Sequence, residues 1–223
     1  LIGELDPAGA EPPLARDTWF PDIEVMTARD RAGSADGLYI ACKGGHNRES
    51  HNHNDVGSFV VYCDGRPLIV DAGVERYTGL TFGPLRYTLW PMRSAYHSLL
   101  PLIGEYEQEF GFEFRSSGVS YDADEDAATF GLDISQSYAK EASIRHWRRT
   151  IVLRRNSEVT VTDDYSLVDA PQPIDVAFLT PCSIDVSEAG LVRLRSRNYW
   201  ESRCSADGVF RYDGSLFVAA AEQ

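Results

Sequence analysis

The chain has 223 residues, 43% of them hydrophobic and 11% aromatic, which is enough to fill one large core and excludes wholesale disorder. Lys and Arg number 21 against 34 Asp and Glu; the formal charge of −13 repels polyphosphate at long range and argues against nucleic-acid or anionic-membrane partners. The longest apolar stretches, such as Leu216 to Ala221, fall far short of the roughly eighteen residues that span a bilayer.

The chain opens Leu-Ile-Gly with no methionine, signal-peptide core or transit pattern, and reads as interior sequence, so a piece of a longer protein is expected. That leaves the compartment open: periplasmic, secreted and cytoplasmic settings all fit. The four cysteines, Cys42, Cys63, Cys182 and Cys204, contain no Cys-x-x-Cys pair, so neither a zinc knuckle nor a thioredoxin-type site is encoded. Cys42 and Cys63 sit in apolar runs and read as buried thiols.

Short apolar or alternating runs punctuated by Gly, Asp and Asn give an all-β rhythm. Strands are predicted near Ile23 to Ala28, Gly37 to Lys43, Ser58 to Cys63, Pro67 to Asp71, Ser98 to Ile103 and Phe112 to Tyr121. Others follow near Ala127 to Ile134, Ile144 to Arg154, Glu158 to Tyr165, Ile174 to Leu179, Leu191 to Arg195 and Leu216 to Ala220. Helix is expected to be scarce, with Gln136 to Ala142 supplying at most a short turn.

Two charged stretches resemble ligand sites but have simpler readings. The segment Arg145 to Arg155 holds five arginines. Folded as a hairpin over the loop Arg155-Asn156-Ser157, it sets Arg154 opposite Glu158, Arg149 opposite Asp163, Arg148 opposite Asp164 and Trp147 opposite Tyr165. A charge-paired hairpin is therefore preferred to a polyanion-binding strip. The acidic turn Asp122 to Asp126 lacks the spaced glycine and closing glutamate of a calcium loop and reads as a solvated hairpin tip.

The chemistry concentrates between Lys43 and Phe59, where three of the five histidines and three asparagines fall together. If His51 to Asp55 is extended, His51, His53 and Asp55 project from one side. The next hairpin, turned by Asp64-Gly65, returns Asp71 opposite Ser58 or Phe59, and Gly57 permits a bend that swings His53 over Asp71. His97 arrives later. Two imidazoles and a carboxylate suit zinc with a fourth position for water or substrate, but a polar pair hydrogen-bonded inside a sheet fits the spacing equally well. A cupin barrel is disfavoured because Val56 to Phe59 hold no glutamate where that pattern wants one.

Taken together, Glu49 to Phe59, Leu68-Ile-Val-Asp-Ala-Gly73, Phe82-Gly-Pro-Leu-Arg-Tyr87 and Ser94-Ala-Tyr-His-Ser98 resemble the heparinase II/III-like polysaccharide lyases. The resemblance implies a large two-layered antiparallel β-sandwich with very little helix over residues 1–223, the partner of an N-terminal (α/α) toroid absent from this chain. It implies zinc held by His53, Asp71 and His97, with His51 and Tyr87 as catalytic cleft residues and Arg86 as a substrate-binding one. Arg76 and Lys43 are further candidate contacts. Serine at position 98 departs from the commoner asparagine after the third ligand. The implied reaction is β-elimination at a uronic acid in an acidic polysaccharide or oligosaccharide. The resemblance also implies that the tyrosine acid/base and asparagine neutraliser lie in the toroid, so that the fragment alone is inactive. The alternatives are a non-catalytic carbohydrate-binding or scaffolding module with a structural zinc site, and a metal-dependent cupin-type enzyme complete in this chain.

Overall fold

In a computed structural model, residues 13–168, 172–199, 202–203, 206–215 and 217–221 are described. The strands run β1 Asp17–Phe20, β2 Val25–Arg29, β3 Leu38–Lys43, β4 His46–Asn47, β5 Phe59–Cys63, β6 Arg66–Ile69, β7 Leu102–Ile103, β8 Gly111–Arg115 and β9 Ser117–Ala123. They continue with β10 Ala127–Asp133, β11 Ile144–Arg154, β12 Glu158–Leu167, β13 Ile174–Asp175, β14 Ser183–Glu188, β15 Leu191–Arg195, β16 Asn198–Tyr199, β17 Ser202–Arg203 and β18 Gly208–Arg211. Helix among the described residues is limited to three-residue 3₁₀ turns, two of them, Ser135–Ser137 and Lys140–Ala142, in or beside the predicted turn at Gln136 to Ala142.

An antiparallel sheet in the order β1-β2-β3-β5-β6 faces a second in the order β12-β11-β10-β9. Alternation along the strands turns Met26, Ala28, Ile40, Cys42, Phe59 and Val61 inward from the first sheet, to share one core with Phe130, Leu132, Ile151 and Leu153 of the second. Trp19 bridges the layers, stacked on Tyr121 with ring centroids 5.4 Å apart and tilted against Phe130 at 5.9 Å. The smaller sheet β14-β15-β18 extends this core through Val192 and Leu194. The architecture is an all-β, sandwich-like stack of antiparallel sheets.

The arginine hairpin folds in the predicted register, with Trp147, Arg148, Arg149 and Arg154 opposite Tyr165, Asp164, Asp163 and Glu158. Opposition does not make every pair an ion pair. Arg148 turns instead to the Gly118 carbonyl at 2.7 Å, and Asp164 lies 3.6 Å from His146. Arg155 is taken up by Asp17 on the facing sheet at 2.8 Å. At the acidic hairpin tip, the Asp124 carboxylate accepts from the backbone N–H groups of Asp126 and Ala127.

Several predicted strands are shorter than expected. Ser98 to Ile103 pairs only at β7, because Leu99 adopts a left-handed conformation with φ 55° and the chain turns there. Phe112 to Tyr121 breaks into β8 and β9 at Ser116, whose N–H donates to the Gly45 carbonyl. Ile174 to Leu179 keeps β13 and a single bridge from Leu179 to Val70. Residues 217–220 form no strand, and Leu216 lies outside the described residues, as does Cys204. Cys42 is a buried thiol, but Cys63 is only half-buried. No helix among the described residues is long and apolar enough to cross a membrane.

Arg149 is the exception to an otherwise apolar inner face on β11. Its side chain is 0% exposed. The guanidinium donates to both Asp163 oxygens at 2.8 and 2.6 Å, and to the carbonyls of Gly57, Ser98 and Leu99 at 3.1, 3.4 and 2.6 Å. A buried cation is tolerable only with such complete pairing. Arg149→Ala, which strands Asp163 and three carbonyls, is expected to cost about 3–5 kcal/mol in urea unfolding, whereas Arg154→Ala at the exposed Glu158 pair costs under about 1 kcal/mol. Equal losses would contradict this assignment.

Candidate metal centre

The site is built from the two loops that Arg149 grips. The first leaves β3 at Lys43, turns through Gly44-Gly45, pairs briefly as β4 with β8, and returns to the sheet at β5. Gly57 closes it with φ +89°, and a Cβ there would lie 2.8 Å from Ile134, so both the angle and the space call for glycine. The second loop carries the 3₁₀ turns Arg86–Thr88, Trp90–Met92 and Ser94–Tyr96 before His97.

His53, Asp71 and His97 meet where these loops cross the end of the β5–β6 hairpin. One ligand atom from each lies within 4.8 Å of the others. His97 is fully buried, His53 is 7% exposed, and their ring centroids are 5.4 Å apart. His97 Nδ1 lies 2.8 Å from Asp71 Oδ2, and Nε2 lies 3.0 Å from the Pro91 carbonyl. That carbonyl can only accept, so Nε2 carries a proton and Nδ1 is the nitrogen turned toward the cluster. Burial opposes the charged form of His97, but the hydrogen bond and charge of Asp71 outweigh it and hold the pKa above its ordinary value. His53 is pushed down by burial and by His97. Burial works to raise the pKa of Asp71, but His97 lowers it overall, which keeps the carboxylate ionised.

The donor set fits a divalent cation of the zinc type. Two imidazole nitrogens and a carboxylate oxygen are its usual ligands, and donors about 3.3 Å apart would complete three corners of a tetrahedron at ordinary zinc distances. His97 and Asp71 already lie 2.8 Å apart and the others within 4.8 Å, so shifts of up to about 1.5 Å bring the three atoms to that spacing. Among the described residues this is the one such group of His, Cys, Asp and Glu.

The expected extended run from His51 to Asp55 does not form. His51 is left-handed, with φ 59°, so its ring swings out of the loop while His53 turns in. Asp55 faces neither histidine as a side-by-side partner; it takes Lys43, whose ammonium also pairs with Glu49 at 3.1 Å. Burial would lower the pKa of Lys43, but Asp55 and Glu49 overcome it and raise it. Lys43 thus ties both ends of the histidine turn and is spent as a clamp.

His51 is exposed beside two aromatic rings. Its Nδ1 lies 3.2 Å from the Tyr77 hydroxyl, and its ring meets Phe82 edge-on at 5.3 Å. Tyr87 is half-buried; its hydroxyl accepts from Asn52 at 3.3 Å, and burial raises its pKa, so it is a neutral phenol. Arg86, expected as a substrate-binding residue, is turned inward. It is 9% exposed, and its guanidinium donates to the Asn52 and Thr81 carbonyls. It holds the loop in shape, and its donors face inward. Arg76 is exposed and forms no ion pair among the described residues.

Gln108 carries no motif that singles it out in the sequence. Only 3% exposed, it accepts from Asn47 and from the Val56 N–H, both at 3.1 Å, and donates to the Val56 carbonyl at 2.7 Å. Its own carbonyl accepts from the Asn54 amide, and its N–H donates to Ser94 Oγ. It therefore pins the His53 loop to the segment leading into His97. A lone glutamine between Glu107 and Glu109 carries no motif, and only the fold reveals its partners.

The family described as Heparinase II/III-like, C-terminal matches residues 12–223, and the chain belongs to it. Among solved structures, a heparinase III with methylated lysines aligns with a TM-score of 0.65 at 19% identity, covering 84% of this chain and 27% of the other. Heparan sulfate lyase HepC from Pedobacter heparinus aligns with a TM-score of 0.65 at 15% identity, covering 82% of this chain and 27% of that one. A further heparinase III gives 0.56 at 17% identity. At these identities the likeness is one of fold, and the chain spans about a quarter of the length of these proteins. No curated protein matches the sequence significantly.

Gln108 touches none of the three clustered side chains but holds the loops that carry His53 and His97, and groups that support metal ligands are worth about 10- to 100-fold in metal affinity. Gln108→Leu is expected to weaken zinc binding by that factor in a chelator competition, with Gln108→Glu partly restoring it. Unchanged affinity in a folded Gln108→Leu chain would remove Gln108 from the site.

Proposed function

We propose that this chain, as one sandwich domain over residues 1–223, is the β-sandwich half of a polysaccharide lyase that cleaves uronic-acid-containing glycans by β-elimination. Membership of the family supports the class, and the much greater length of the structural neighbours supports a second, N-terminal toroid domain as its partner. The observation that carries the reading is the position of His51. It stands exposed at the rim of a loop whose next histidine is buried in the His53, Asp71, His97 cluster.

The reaction removes the C5 proton of a uronate and expels the oxygen at C4, so it needs a base, an acid and a group that neutralises the carboxylate. The tautomer that donates Nδ1–H to the Tyr77 hydroxyl leaves the Nε2 lone pair available, as a base or, once protonated, as a charge stabiliser. Tyr87, held neutral beside Asn52, suits donation of a hydrogen bond to a sugar oxygen rather than service as a phenolate base. Arg86 acts through Asn52 by fixing the turn between the two histidines. Zinc held by His53, Asp71 and His97 would supply positive charge and a rigid tie between the loops. The remaining acid/base groups are assigned to the toroid.

His51→Ala in the longer protein that contains this chain is expected to lower kcat about 10²- to 10⁴-fold without changing folding or metal content. Unchanged turnover would instead favour a non-catalytic carbohydrate-binding or scaffolding module. The isolated chain should form no unsaturated uronyl ends; a rate comparable to that of the longer protein would overturn the shared-site reading.

A further inference from the structure

The outer face of the first sheet carries a row of side chains that the site above does not use. Strand register places Arg29 opposite Tyr39, Tyr39 opposite Tyr62 and Tyr62 opposite Pro67, so the row crosses β2, β3, β5 and β6 at right angles to the strands. With strands about 4.8 Å apart, it is roughly 14 Å long. The tyrosine rings meet edge to face at 6.0 Å, and the Arg29 guanidinium lies 4.8 Å over the Tyr39 ring. Arg29, Tyr39 and Tyr62, with the small residues Ala35 and Gly65, line an open cleft of about 200 Å³. Tyr39 precedes Lys43 by four residues, about 13 Å along β3, so this cleft is separate from the histidine loop.

The outer face of a half-solvated sheet is ordinarily polar, and three features of this row point to a ligand. The face of a paired sheet offers no free backbone donors, so an occupant must be read by side chains alone; an extended peptide would instead add at an edge. The two tyrosines, set edge to face with Arg29 over Tyr39, form an L-shaped apolar wall that suits the face and edge of one sugar ring. Arg29 also carries an unneutralised charge. Its Nε and Nη1 donate to the Ala15 and Ser34 carbonyls at 2.9 and 3.3 Å, and it makes no ion pair with a carboxylate among the described residues. In a chain of net charge −13, a cation with no carboxylate partner beside edge-to-face rings is complementary to an anionic sugar.

The geometry points to a second, non-catalytic glycan-binding site at Arg29, Tyr39 and Tyr62. It takes an acidic oligosaccharide, with one pyranose ring packed against the Tyr39–Tyr62 wall and a carboxylate or sulfate on Arg29. The choice of ligand rests on the function proposed above; the row itself does not.

The test titrates the chain, tyrosine- and histidine-labelled for NMR, with a glucuronate-containing tetrasaccharide and with neutral maltotetraose. The acidic probe should shift the Tyr39 and Tyr62 ring signals. Tyr62→Leu and Tyr39→Leu should each weaken that binding about tenfold, and Tyr39→Phe should retain it. Arg29→Gln should erase the preference for the acidic probe, and His51→Ala should leave these shifts unchanged. Shifts confined to His51 and its neighbours would overturn the second site while leaving the lyase reading intact. Shifts at neither place would likewise overturn the second site alone, since the lyase reading gives most substrate contacts to the toroid, and equal displacement by a polyglutamate peptide would overturn the choice of a glycan.

Discussion

The structure depends on one buried cation. Arg149 sits at a position whose neighbours on the same face, Trp147 and Ile151, are apolar, and its guanidinium can remain there because every N–H has an acceptor. Those acceptors belong to different parts of the fold. Asp163 anchors the arginine to its own hairpin, Gly57 ends the loop that carries His53, and Ser98 and Leu99 follow His97 directly. A rigid, planar fork therefore fixes the separation of two loops that share no strand pairing, and the side chains of His53, Asp71 and His97 that those loops carry converge as a result.

Around this hub the local polar groups are also satisfied by the fold. Gln108 holds the inside of the histidine loop, Lys43 its two ends through Glu49 and Asp55, and Arg86 its middle through Asn52. Each of these side chains is charged or strongly polar, and each is directed inward. The cations Arg149, Arg155, Lys43 and Arg86 are thus used in the interior, so they contribute little positive field at the surface. On the reading proposed above, a polyanionic substrate would meet most of its compensating charge on the partner domain, with His51 as the group this half adds to the cleft.

The sequence revealed pairing and composition better than it revealed loops. The arginine hairpin was legible down to single residues because a three-residue loop fixes the register and alternation fixes the faces. Asp64-Gly65 and Gly57 likewise announced a turn and a bend that the backbone adopts. The trio His53, Asp71 and His97 was legible through the family resemblance, and the fold brings its members together. The extended reading of His51 to Asp55 failed because alternation presumes a strand, and this segment is held by the Arg86 side chain and by the backbone carbonyls of Met92 and Gln108, all far along the chain. Arg86 shows a related limit: the sequence shows that a residue is cationic, but not whether carbonyls surround it.

The central claim is that two loops locked by Arg149 present His53, Asp71 and His97 as one metal site, with His51 outside it. Elemental analysis of the purified, folded chain and of its histidine variants tests this most directly. The account predicts a single zinc per chain that is lost in His53→Ala and retained in His51→Ala. A folded chain that takes up no zinc, or a His53→Ala variant that keeps it, would contradict the account.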